Sequence, residues 1–202
     1  MLMHTAHKSG AISMPGLLDW ARLRREKWFT VMLPDDLAKL EFLRRQAHEL
    51  ARDPFLIELA ARIVRPFRAD DWRSQADALH RFVRDGIRYQ RHPDKKQQIA
   101  DNALWRGYGA CTEKVMAFVA MCLALGIDAD FWPLWKGDVM DHVQSAVRFP
   151  GFERWSPRSG TQPGAPPGLW IVSDPTIAGA ELGQDPRTVP VNTDTGKLPL
   201  SG

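Results

Sequence analysis

The stretch "GACTEKVMAFVAMCLALGIDADFWPLW", residues 109–135, decides the fold. Its apolar residues Val115, Met116, Phe118, Val119, Met121, Leu123 and Leu125 run almost all the way round a helix that begins near Cys111 and stops at Gly126. A helix with no polar face has no place on a surface and belongs in the middle of a domain. Strand signals follow it: "ADFWPLW" (129–135), a Lys136-Gly137-Asp138 turn, "HVQSAVRF" (142–149) and "GLWIVSD" (168–174). Between the last two lies a Pro/Gly/Ser-rich loop. Helices first and strands afterwards define an α+β protein with antiparallel strands packed on the buried helix.

Upstream, the pattern is helical from Pro34. Asp35 or Asp36 can cap, and Leu37, Leu40, Leu43, Ala47 and Leu50 recur on one face. Pro54 opens a second helix through "FLIELAARIV", which Pro66 ends. A third runs from about Asp71, with Trp72, Ala76, Leu79 and Phe82 inward and Gly86 as its stop. "IRY" (87–89) is a short extended piece before a polar loop.

Composition narrows the classes of function. The first hundred residues carry 19 Lys+Arg against 13 Asp+Glu, and the rest carry 8 against 11. The basic excess is scattered along helices, as on a solvated face, so no nucleic-acid partner is expected. The longest apolar run, Val115 to Leu125, falls short of the ~20 residues that span a bilayer. The first residues lack the apolar core of a signal peptide, so a cytoplasmic protein is expected. His4 and His7 have no further ligand nearby, so neither metal nor cofactor is expected. Cys111 and Cys122 stand about three turns apart on one helix, far beyond disulfide reach. Both are expected to be free thiols in a reducing compartment.

Cys111 and Cys122 differ in setting. A thiol attacks as thiolate, and a helix N-terminus lowers its pKa through unpaired N–H groups and the positive dipole end. Gly107 and Gly109, just before Cys111, allow close backbone approach. Cys122 sits among apolar neighbours and reads as a small core residue. Of the six histidines, His48 and His80 lie on helices and His92 in a polar loop, whereas His142 opens a strand directly after a turn. Asp174 closes the strand "GLWIVSD", where a buried carboxylate is costly without a partner. Cys111, His142 and Asp174 would make a nucleophile, a base and an orienting group.

Four segments carry a family resemblance: "LHRFVRDGIRY", "GYGACTEKVMAFVAMCLALGIDADF", "DHVQSAVRF" and "WIVSDPTI". In this order, from about Trp72 to Ile177, they resemble the transglutaminase-like (papain-type) cysteine superfamily. The resemblance implies a Cys-headed helix on a small antiparallel sheet, with Cys111 as nucleophile, His142 as base and Asp174 as orienting group. It implies attack on an amide carbonyl of a protein or peptide, a thioester, and resolution by water or an amine. The oxyanion would be held by the backbone N–H of Cys111 and an upstream donor, for which Trp105 is a candidate. Two positions depart from the family pattern: Ala110 stands where many members carry Asp, and Gln144 where many carry Trp.

The chain then divides into a leader (1–16), an N-terminal helical extension (17–70), a transglutaminase-like domain (71–180) and an irregular tail (181–202). Small stand-alone members occur in phage and prophage gene sets, and the extension would suit docking into a larger assembly, with a virion among the places expected. Two readings stay open: a cysteine hydrolase or acyltransferase, and a non-catalytic structural or adaptor protein on the same fold.

Overall fold

A computed structural model describes residues 36–90, 103–136, 139–151, 158–159 and 163–184 of the 202. His4, His7, His92 and the Gly137-Asp138 turn lie outside the described residues. The elements run α1 (Asp36–Leu50), α2 (Pro54–Val64), α3 (Trp72–Gly86), β1 (Arg88–Tyr89), α4 (Ala103–Arg106), β2 (Tyr108–Gly109) and α5 (Cys111–Ala124). Four strands follow: β3 (Asp128–Lys136), β4 (Val139–Arg148), β5 (Arg158–Ser159) and β6 (Leu169–Ser173). The architecture is α+β, as expected.

Helix α5 is the centre of the molecule. Eleven of its 14 residues are buried, from Thr112 to Cys122. Each large apolar side chain so placed contributes about 1.5–3 kcal/mol of burial. Gly126 (φ 76°) supplies the left-handed residue that ends it, and the Ile127 N–H donates back to the Cys122 carbonyl at 2.9 Å. The sheet lies against α5 in the order β3-β4-β6-β5, with all pairings antiparallel. Ala129, Phe131, Val143, Val147 and Ile171 face α5 in the main core. The opposite face carries a smaller cluster of Trp132, Ala146, Trp170 and Val172.

The N-terminal helices belong to the same core. Leu40, Leu43, Ala47 and Leu50 of α1, and Leu56, Ala60 and Val64 of α2, are buried in one cluster with α5. Leu37 differs from the sequence pattern: in the first turn of α1 it stays 47% exposed. Asp53 caps α2, accepting from the Phe55 and Leu56 N–H groups at 2.9 and 3.4 Å, and Asp71 caps α3 through the Ser74 N–H at 3.1 Å. Helix α1 also reaches the sheet: Asp36 accepts the Met140 N–H at 2.6 Å, and Arg44 pairs with Asp130 at 2.8 Å. One feature is absent from the sequence reading. The extended piece at Arg88–Tyr89 pairs in parallel with Tyr108–Gly109, closing the loop between them just before α5.

Candidate active site

The approach to Cys111 is tightly packed. A Cβ on Gly109 would stand 2.6 Å from Cβ of Ala103, so only glycine lets α4 lie against the start of α5. Ala110 is the N-cap and offers no side-chain oxygen. Glu113 replaces it by reaching back, with Oε2 accepting the Ala110 N–H at 2.7 Å. A carboxylate in the first turn would oppose a thiolate there. The Arg106 guanidinium pairs with Glu113 Oε1 and offsets that charge. On the other side, Lys114 is buried and donates to the carbonyls of Arg84 and Ile87 at 3.0 and 2.5 Å. The first turn of α5 is therefore anchored on both flanks, with Cys111 partly exposed at its head.

Strand β4 packs directly on α5 and carries His142 two residues from the Asp36–Met140 contact. His142 Nε2 lies 2.6 Å from Asp174 Oδ2, and both side chains are buried. Asp174 follows the last residue of β6. Its other oxygen, Oδ1, accepts the Thr176 N–H at 2.8 Å and the Thr176 hydroxyl. Every oxygen of this fully buried carboxylate is thus bonded, which offsets its desolvation. The structure brings His142 and Asp174 together and places Cys111 at the head of the helix packed on the His142 strand.

Trp105 sits in α4 and packs against Phe55 of α2, with ring centroids 4.3 Å apart and planes tilted by 51°. Cys122 is fully buried, and that burial pushes its thiol far up from the ordinary cysteine range. Neither cysteine forms a disulfide among the described residues. Among the described residues no cluster of His, Cys, Asp or Glu could hold a metal ion, and no helix is long and apolar enough to cross a membrane. A cleft of about 380 Å³ between Trp72, Ile127, Phe149 and Pro150 opens at the far end of α5, ~20 Å of helix away from Cys111.

Gln144 departs from the family pattern, and the sheet register gives that departure a context. Trp132 lies directly opposite Gln144 on β3, so an indole reaches the same face from the neighbouring strand. Gln144 is fully buried, and neither amide atom has a hydrogen-bond partner among the described residues; Trp132 Nε1 is in the same condition.

Sequence reasoning passed over several residues around the site. Thr176 has a local signal in the sequence, since Asp-x-Thr spacing lets the Asp174 side chain fold onto the backbone two residues on. His80 has no partner signal in the sequence around it. In the fold its Nε2 lies 2.9 Å from Ser173 Oγ, across 93 residues of chain. No local pattern could have found it.

A buried helix headed by cysteine, laid on an antiparallel sheet with a buried His–Asp pair, defines the class of papain-type α+β folds. Residues 57–157 match the model of the Transglutaminase-like superfamily, and the chain belongs to that superfamily. The match begins within α2, upstream of the first resembling motif, and ends before β6. Comparison with curated proteins and with solved structures gives no match.

Proposed function

We propose that the chain is a cysteine enzyme acting on amide bonds of proteins or peptides. The observation that carries this reading is the buried His142–Asp174 pair, its carboxylate fixed by Thr176, with His142 on the strand packed against the helix that Cys111 heads. Asp174 engages Nε2, so Nδ1 is the ring nitrogen that takes the thiol proton. The thiolate attacks the carbonyl carbon, and the C–S bond forms as the C–N bond breaks. The imidazolium returns its proton to the leaving amine. Water or a second amine then attacks the thioester, His142 accepts its proton, and the thiol is released. The oxyanion is held by the Cys111 N–H, with the Trp105 indole as the second donor in this reading.

The test is alkylation of the folded protein by iodoacetamide, followed across pH with the modified residue identified by mass spectrometry. Cys111 should react near neutral pH while Cys122 stays protected. Asp174→Asn removes the charge that favours imidazolium, so the onset of Cys111 reactivity should move to higher pH. An unchanged profile in Asp174→Asn, or faster modification of Cys122, would overturn the assignment.

A further inference from the structure

Helix α3 touches both halves of the site. Toward α5, its C-terminal carbonyls hold Lys114, one turn from Cys111. Toward β6, Arg84 donates to the Ala180 carbonyl at 2.8 Å and pairs with Glu181 at 3.2 Å, gripping the segment that follows Asp174. His80 lies one turn before Arg84 on the same face, fully buried. Its ring meets Phe118 of α5 edge-on, with centroids 5.7 Å apart and planes at 90°. Phe118 is two turns along from Cys111, on the same side of the helix.

Ser173 is the other end of this tie. His80 Nε2 contacts its hydroxyl at 2.9 Å, and that hydroxyl is 3.4 Å from the Glu181 carbonyl. The donors are assigned by consistency: Nε2–H donates to Ser173 Oγ, and the hydroxyl donates onward to Glu181. In that tautomer the His80 nitrogen without a partner among the described residues, Nδ1, is a lone pair and not a buried N–H. The Ser173 carbonyl is held as well, by the Ser145 hydroxyl at 2.7 Å. Both handles of the residue before Asp174 are therefore fixed, one from α3 and one from β4.

We propose that His80 is a positioning residue: it ties the helix that carries Cys111 to the strand end that carries Asp174, and so sets the spacing of the thiol against the imidazole. The inference rests on the cysteine-enzyme reading. The charged groups around the ring are Arg84 and Asp85 on its own helix, Lys114 on α5 and Asp174 beyond β6. None of them bonds to it, so the tie is the Ser173 hydrogen bond and the Phe118 contact.

The experiment compares pH profiles of Cys111 alkylation in the full chain. His80→Phe keeps a ring against Phe118 and loses the hydrogen bond. Ser173→Ala removes the same bond from the other end, and serves where His80→Phe fails to fold. His80→Gln can place an amide N–H near the position of Nε2. Both disruptive variants should move the onset upward by about one pH unit, a roughly tenfold loss of rate at fixed pH below it. His80→Gln should keep the wild-type onset. If Asp174→Asn shifts the profile while His80→Phe and Ser173→Ala do not, the tie is refuted and the enzyme reading stands. A shift in His80→Gln equal to that in His80→Phe also refutes it. If Asp174→Asn itself leaves the profile unmoved, the site reading falls and this inference with it.

Discussion

Acid should weaken this fold through His80, and by an amount the structure sets. Burial, and next the nearby Arg84 cation, push the His80 imidazole down to about 3 from an ordinary 6.5, with Asp174 offsetting part of that. The folded state thus keeps it neutral where the unfolded chain would take a proton. Stability from this source is fully present above about pH 6.5 and is lost as pH falls toward 3. At pH 5 the group is still neutral in the fold, and that pH is about 1.5 units below the unfolded value of 6.5. At about 1.36 kcal/mol per unit, the loss between pH 8 and pH 5 is roughly 2 kcal/mol. Any folded value below about 4 gives the same answer at pH 5, so the figure does not depend on the depth of the shift. Urea unfolding of wild type and His80→Gln at both pH values provides the measurement. Carboxylates and the other histidines titrate in both proteins and cancel in the double difference. Wild type should lose about 2 kcal/mol more than the variant. A double difference near zero would mean that His80 is solvated or already charged in the fold, and the reasoning would fail.

Two further outcomes follow from burial. Gln144→Met replaces a fully buried amide whose two polar atoms have no partner among the described residues with an apolar chain of similar length, and should stabilise by about 1–3 kcal/mol in a thermal melt; a lower melting temperature would show that the amide is bonded. Removing everything before residue 71 strips seven buried side chains from the cluster around α5, so the remainder should lose cooperative unfolding and aggregate; a soluble truncation with a sharp melt would refute the shared core.

The fold was legible where hydrophobic pattern and length leave one solution. An apolar helix from Cys111 can only be central, and three alternating runs after it can only pair across its face. The helix starts at Pro54 and near Asp71 were equally plain, because start signals are local. What escaped was set by chain pairs distant in sequence. The two-residue β1–β2 bridge carries no periodicity. Leu37 keeps the α1 spacing yet sits in the first turn, where the helix has not come over the core. Trp132 and Gln144 become neighbours only through the strand register. Asp174 could be suspected as a costly buried carboxylate, whereas His80 gave no such sign, since a lone histidine on a helix face is compatible with any environment.

The polar groups buried around α5 point the same way as the candidate triad. Glu113, Lys114, His80, Ser145, Ser173, Asp174 and Thr176 are all nearly inaccessible, and each is costly to desolvate. Most could be replaced by apolar side chains without loss of packing volume, and buried ion pairs rarely add net stability over such replacements. Their hydrogen bonds do something an apolar core cannot: they fix direction. Glu113 and Lys114 set the pitch of the first turn beneath Cys111, Thr176 sets the carboxylate plane, and Ser145 and Ser173 set the backbone leading to it. A surface that only docks a partner gains little from such control beneath it. A thiolate–imidazole pair loses rate when its groups shift by an ångström, so directional bonds around it are worth their desolvation. The concentration of these bonds at the helix head and the β6 end, away from the apolar far half of α5, is what an active site requires of its support.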